Sequence, residues 1–401
     1  MIQCNDKSKV SEGGLYIHIP FCRNKCIYCD FFSVGVRKAD IEGYMFSLEN
    51  ELRQRSEELP ERLKSIYFGG GTPSIVDPAL INKFIGNLQD HYPEMITGIG
   101  SDSDPFIFSG EFTFEVNPED VTIERCREWK NAGVNRISMG IQSFDDNDLK
   151  FLRRTHSSER GIEAIGILQQ FFDNISIDLI FGLPGQTIEG WIKNLKQAIE
   201  LKVNHISLYS LMFEEGTALT VMRSQGRIKE ADENLSDLMF LTSLEMLGEA
   251  GFNRYEISNY SLPGYESVHN SAYWKGSPYL GLGAGAHSYD GKNIRRYNPN
   301  DIKGYINFHA NCQNHSALFA EEEILSDNEK RDEFLLTRLR MAEGIFLEEL
   351  EEIFSKEQVG KILRKIQTLT DYIEFIDDRI RLTDRGVMIS DKIILELAYG
   401  L

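Results

Sequence analysis

Over the first two-thirds of the chain, short apolar runs alternate with stretches whose apolar residues recur every three or four positions. The runs Leu15–Ile19, Ser65–Phe68, Phe112–Val116, Arg136–Gly140, Ile175–Phe181 and His205–Leu211 have the length and the β-branched or aromatic content of strands. Between them, Ile41–Ser56, Pro78–Leu88, Thr122–Asn131, Ser158–Phe171 and Ile188–Leu201 carry helical periodicity. Asp77 before Pro78 marks a helix start, because a carboxylate can cap free N–H groups and a proline fits the first helical position. Strand–helix units joined by short links predict an α/β fold with a parallel sheet and right-handed crossovers. Six such units suggest a partial (β/α)6 TIM-like barrel rather than an open sheet. The segment His91–Gly110, rich in Gly, Ser and Asp, reads as a long surface loop.

The pattern changes near residue 300. Ile302–Cys312, Asp327–Met341, Phe346–Phe354 and Lys356–Leu369 read as helices. Tyr372–Ile376 and Arg379–Leu382 read as a hairpin turned by Asp377-Asp378, and Thr383 as the cap of a last helix to Leu397. The expected division is a barrel with an extension over 1–300 and a mainly helical, winged-helix-like unit over 301–401.

Composition narrows the partners. Apolar residues make up 41% and charged residues 26%, ordinary values for a globular protein. No run approaches the ~20 apolar residues that cross a bilayer, and Met1–Lys9 lacks the apolar core of a signal peptide. The expected location is the cytoplasm, where thiols stay reduced. A net charge of −19 argues against a nucleic-acid partner, which needs a basic surface. The acidic runs Glu57-Glu58, Ala320–Ile324 and Leu347–Ile353 read as solvated helix faces.

Chemistry first shows in Cys22, Cys26 and Cys29, a C-x3-C-x2-C triplet just after the first strand. Three thiolates can hold three corners of a [4Fe–4S] cluster, which normally takes four, so one iron would be left open. A zinc knot wants four Cys or His ligands, and no second pair stands nearby. A cluster fits the spacing better than zinc. Disulfides are not expected among six cysteines without a secretion signal, and Cys4, Cys126 and Cys312 read as ordinary thiols. His18 reads as packed within its strand.

Ligand sites of parallel α/β folds lie at the C-terminal ends of strands. Here the first strand leads into the cysteine loop, and the second into Phe68-Gly-Gly-Gly-Thr-Pro73, whose glycines let a backbone approach a ligand closely. The third ends at Glu115-Val-Asn-Pro118, and the fourth at Met139-Gly-Ile-Gln-Ser143, which offers the Gln142 amide. The fifth carries Asp178 in an otherwise apolar run, where an acid is costly unless paired or ligand-bound. So many ligand-like strand ends favour one shared site.

Taken in order, these residues resemble the radical S-adenosylmethionine (SAM) enzymes. The resemblance narrows to the coproporphyrinogen dehydrogenase-like group, comprising HemN-type oxidases and HemW-type haem chaperones. It rests on Tyr16-Ile-His-Ile-Pro-Phe-Cys22, Met139-Gly-Ile-Gln-Ser-Phe144, Asp178-Leu-Ile-Phe-Gly-Leu-Pro184 and Gly281-Leu-Gly-Ala-Gly-Ala-His287, and it covers nearly the whole chain. It implies a radical SAM partial barrel with a HemN-like C-terminal domain. It also implies that Cys22, Cys26 and Cys29 ligate a [4Fe–4S] cluster whose open iron chelates the amino and carboxylate groups of SAM. Tyr28 matches an aromatic near the adenine, and Gly70, Gly71 and Thr72 match the turn facing the methionine amino end. Glu115, Gln142, Arg154 and Asp178 match positions that hold the amino, carboxylate and ribose groups; Tyr16 matches a tyrosine near cluster and SAM. The implied chemistry is reductive cleavage of SAM to methionine and a 5′-deoxyadenosyl radical, fed by an electron donor.

Within the group, HemN-type oxidases carry a further cysteine two residues past the triplet, where this chain has Phe31, and a long arm before the first strand. The run His269-Asn-Ser-Ala-Tyr-Trp274 instead resembles the His-Asn-x-x-Tyr-Trp motif of HemW-type proteins, implicated in haem binding. By that resemblance His269 is a candidate axial ligand, while Tyr273 and Trp274 offer flat apolar surface to a porphyrin. His287 is a second candidate, in a glycine-rich run that reads as a structural turn. The resemblance thus implies a HemW-like haem chaperone, with haem or another porphyrin as cargo and haemoproteins as clients. The alternatives are an oxygen-independent coproporphyrinogen III oxidase, and a radical SAM enzyme for another substrate with a purely structural His269 motif.

Overall fold

The structure is a computed structural model that describes residues 11–36, 40–311 and 318–398. Cys4 and Cys312 lie outside the described residues, as does the chain start read above for a signal peptide. Six strands, β1 (Glu12–Ile19), β2 (Arg62–Gly70), β3 (Glu111–Val116), β4 (Arg136–Gln142), β5 (Ile175–Phe181) and β6 (His205–Ser210), pair in chain order and all parallel. Helices α1 (Ile41–Gln54), α2 (Pro78–Gln89), α3 (Ile123–Asn131), α4 (Ser158–Leu168) and α5 (Ile188–Glu200) alternate with them. Asp77 caps α2 by accepting from the Ala79 N–H at 2.9 Å.

Side chains alternate across each strand. One face of the sheet is apolar: Leu15, Ile17, Ile66, Phe68, Phe114, Ile137, Met139, Ile177, Leu179 and Ile206 join the core with Phe84, Trp129, Ile165 and Trp191 of the helices. The other face carries Tyr16, His18, Ser65, Tyr67, Glu115, Arg136, Ser138, Asp178, His205 and Ser207. That polar face supplies the site.

The sheet does not close into a barrel. The glycine-rich run expected to form a turn contains a further strand, β8 (Tyr279–Leu282), which pairs parallel with the free edge of β1. The outer edge of β6 is taken by the antiparallel β7 (Asn259–Ser261). A Cβ on Gly281 would lie 1.9 Å from the His287 carbonyl oxygen, so only glycine permits this approach. The buried Glu51 of α1 fastens the region, accepting from the Gly283 N–H at 2.8 Å, Tyr305 Oη at 2.7 Å and Asn298 Nδ2 at 2.8 Å. Arg55 pairs with it at 3.1 Å and donates to the Gly281 carbonyl at 3.1 Å. The buried charge is therefore both paired and hydrogen-bonded.

Three further expectations are corrected. The sheet runs on past residue 300: helix Ile302–Asn311 packs on α1, and strand Glu321–Ile324 pairs antiparallel with Ile294–Tyr297. The architecture changes near residue 325 instead. The acidic run at 320–324 is thus a strand and not a helix face, because Glu322 finds Arg296 across the ladder at 2.7 Å. His91–Gly110 is a packed excursion with its own short hairpin, Ile96–Thr97 against Ile107–Phe108; Tyr92, Ile96, Phe106 and Phe108 are buried.

The C-terminal unit has the expected helices and a three-stranded sheet of Ile345–Phe346, Arg379–Leu382 and Ile373–Ile376. Asp377 and Asp378 turn its hairpin at φ +53° and +57°, as a primed turn requires. Thr383 caps the final helical segment, which breaks at Ile389 into Asp384–Met388 and Ser390–Ala398. Among the described residues no helix is long and apolar enough to cross a membrane.

Candidate cluster and cofactor site

A cavity of about 450 Å³ opens at the C-terminal ends of the six parallel strands. Cys22, Cys26, Cys29, Tyr28, Gly70, Gly71, Thr72, Glu115, Gln142, Arg154 and Asp178 all line it. Elements far apart in sequence bring them together, since each strand ends on the same rim.

The three cysteines are free thiols. Thr72 Oγ1 lies 3.6 Å from Cys22 Sγ, and Arg154 Nη1 lies 3.5 Å from Cys26 Sγ, so donors already face two of the sulfurs. Burial pushes the Cys29 thiol up to about 11 and the Cys22 thiol upward as well. A bound metal must therefore displace protons. Among the described residues no three Cys, His, Asp or Glu side chains surround a point as a single ion requires. The three sulfurs stand on one cavity wall with the Arg154 guanidinium beside them.

The glycine turn is fixed by sterics. Gly70 sits at φ +106°, and a Cβ there would lie 2.3 Å from the His18 ring. A Cβ on Gly71 would meet the Ile19 and Phe21 carbonyl oxygens, each at 2.7 Å. The Gly70 N–H donates to Glu115 Oε2 at 3.1 Å, while Tyr67 Oη donates to Oε1 at 2.6 Å. Gln142 holds φ +70° at a bulge in β4, a strained placement that turns its amide to the cavity. Arg154 is anchored by Nη2, which donates to Asn117 Oδ1 at 2.7 Å and to the Gly140 carbonyl at 2.8 Å.

Two buried carboxyls face the same space. Burial, with the Asp178 charge adding to it, pushes Glu115 up to about 7; burial pushes Asp178 up to about 6. Both fall into the protonated form as pH drops through that range. If they hold the cationic amino end and the ribose of SAM, SAM affinity should be full above about pH 8 and fall by about tenfold or more by about pH 5.5. Isothermal titration across this window checks it, and a flat profile would remove both carboxylates from the binding step.

Tyr16 does not line the cavity. Its Oη bonds His18 Nδ1 at 2.8 Å, and its ring lies beside Tyr67 on the polar face. His269 is also away from it. It opens helix α6 (Val268–Trp274), whose first N–H groups are held by the buried Glu111: Val268 N at 2.9 Å and His269 N at 3.0 Å. This turns the imidazole inward, where it stacks on Tyr67 at 4.9 Å. Both ring nitrogens are engaged, Nδ1 with Ser65 Oγ and Nε2 with Tyr273 Oη, each at 2.8 Å. Iron ligation by His269 would require one of these bonds to break. His287 is exposed on its strand, stacked on Tyr297.

Sequence reasoning missed Tyr67, Asn117, Arg136, Ser138, Ser207 and Asn270, which also line the cavity. The alternation of strand positions carried the signal for four of them, since Tyr67, Arg136, Ser138 and Ser207 share the face of Glu115 and Asp178. Asn117 bridges Thr72 Oγ1, at 3.2 Å, and Arg154.

A sequence model of the Radical SAM superfamily matches residues 16–198, and one of the HemN C-terminal domain matches residues 325–389. The chain is 33% identical over 386 residues to the heme chaperone HemW of Lactococcus lactis, covering 94% of this chain and 95% of the relative. To the heme chaperone HemW of Bacillus subtilis it is 30% identical over 382 residues, covering 94% and 97%. Among solved structures, coproporphyrinogen III oxidase (HemN) from Escherichia coli superposes with a TM-score of 0.78 at 20% identity, covering 98% of this chain and 91% of that one. That likeness establishes the mixed α/β fold with its C-terminal helical unit.

Proposed function

Because the chain belongs to the radical SAM superfamily, and within it to the relatives of HemW, we propose that it is a cytoplasmic haem chaperone, binding haem and passing it to haemoproteins. The observation that carries this reading is relatedness at 30–33% along almost the full length of proteins named heme chaperones, the C-terminal unit included. Exposed Phe31 on the cavity lining supports the chaperone over the oxidase, since the oxidase pattern has a cysteine there.

Membership of the family implies a [4Fe–4S] cluster and SAM. When bound, the reduced cluster supplies the electron that splits SAM into methionine and a 5′-deoxyadenosyl radical. On this reading Cys22, Cys26 and Cys29 hold three irons. Arg154, a fixed cation, suits the SAM carboxylate. Glu115, held by Tyr67 and Gly70, suits the amino group, and Asp178 the ribose hydroxyls. Gln142 adds an amide donor and acceptor, and Tyr28, packed beside Cys26, suits the adenine side. Gly70, Gly71 and Thr72 keep backbone close to the methionine end, while Tyr16 supports the Tyr67 layer beneath.

Haem added to anaerobically reconstituted protein is expected to give a shifted Soret band, and mixing with an apo-haemoprotein should move that band to the acceptor's position. The same sample should not decarboxylate coproporphyrinogen. Turnover of coproporphyrinogen with no haem uptake would replace this reading with the oxidase.

A further inference from the structure

A second cavity, of about 690 Å³, lies between the end of α6 and the C-terminal unit. That is the size of a cofactor site, roughly 300–1,000 Å³. Its walls are flat and apolar: Trp274 and Tyr279 on the sheet side, Phe334 and Phe346 on the other. The edge of Tyr273 meets Tyr279 at 4.5 Å and holds that wall in place. Trp274 contributes its indole ring to that wall.

Charge points the same way. The lining contains Lys275, Lys292, Arg295, Lys330 and Arg338 against Glu333, Glu343 and Glu349, five cations to three carboxylates, on a chain of net charge −19. Arg295 and Arg338 pair with Glu333 and Glu349, Lys330 with Asp327 and Glu343 with Arg379, which leaves Lys275 and Lys292 to meet the carboxylates of a ligand. A flat apolar body bearing carboxylates is the complement of such a lining. The described residues lining this cavity include no histidine, cysteine or methionine. The His-Asn-x-x-Tyr-Trp run is therefore divided: its histidine serves the interior of the sheet, and its aromatic end serves this cavity.

We propose that the second cavity holds the tetrapyrrole cargo, with the macrocycle between the aromatic walls, its carboxylates on the basic rim, and no histidine on the metal. This rests on the haem-chaperone reading above. A ring gripped by its faces and carboxylates keeps its iron free for the ligand of an accepting haemoprotein, which favours release over retention.

The test titrates the cluster-reconstituted full chain with haemin and, separately, with metal-free protoporphyrin IX. The two should bind with affinities within about threefold of each other, because the metal is not the handle. Thr337→Trp, which fills the cavity, and Trp274→Ala, which strips a wall, should each weaken both by about tenfold or more while SAM binding stays unchanged. Metal-free porphyrin that fails to bind, or haemin affinity untouched by both variants, would overturn the site and leave the chaperone reading standing. If the parent chain takes up neither ligand, the chaperone reading itself falls, and the site with it.

Discussion

Replacing Cys26 with alanine is expected to reduce the iron and sulfide held after reconstitution to below about a tenth of the parent value and to abolish SAM cleavage. Cys22, Cys26 and Cys29 are the thiols lining the cavity, and a cluster already short of one ligand tolerates no second loss. Cys26 is the informative choice because it also takes the Arg154 guanidinium at 3.5 Å. Its removal takes away the proposed iron ligand and unbalances a buried cation together. Cys126 is the control: it is buried on α3 outside the cavity, and Cys126→Ala should leave cluster content unchanged. Cluster absorption and iron analysis read both variants. A Cys26→Ala protein with full iron and full SAM turnover would remove the triplet from the chemistry.

Replacing Arg154 with lysine is expected to leave the cluster in place but weaken SAM binding by about 10- to 100-fold. The guanidinium spans three partners at once: Cys26 Sγ, Asn117 Oδ1 and the Gly140 carbonyl. A lysine is a single point charge on a flexible stem and cannot reproduce that span. Loss of one charge-assisted hydrogen bond costs about 1.5–3 kcal/mol, which sets the expected range. Equilibrium dialysis of SAM against reconstituted protein measures it, and iron analysis of the same sample shows that the cluster survives. An unchanged SAM affinity would reduce Arg154 to a strut between the Asn117 side chain and the Gly140 carbonyl.

Much of this arrangement was legible in the residue pattern. Repeating strand–helix units announce the parallel sheet, and the strand-end residues announce one rim. The triplet, the glycine turn, Glu115, Gln142 and Asp178 meet at one cavity as their strand-end positions implied, and Arg154, which the family resemblance alone pointed to, joins them. What was not legible depends on contacts between distant positions. The inward turn of His269 is set by Glu111, 158 positions earlier, so no local pattern reveals it. Strand β8 hides in a run of glycines, whose poor strand propensity is overridden by the close approach to His287. The packed excursion at 91–110 reads as a loop because its buried aromatics stand at its two ends, separated by Gly, Ser and Asp.

Strand β8 has one more consequence. With β2 on one side of β1 and β8 on the other, the backbone hydrogen bonds that would join β1 to β6 are already spent. Since β7 likewise occupies the outer edge of β6, the connectivity itself keeps the first and sixth strands from pairing and leaves the sheet open.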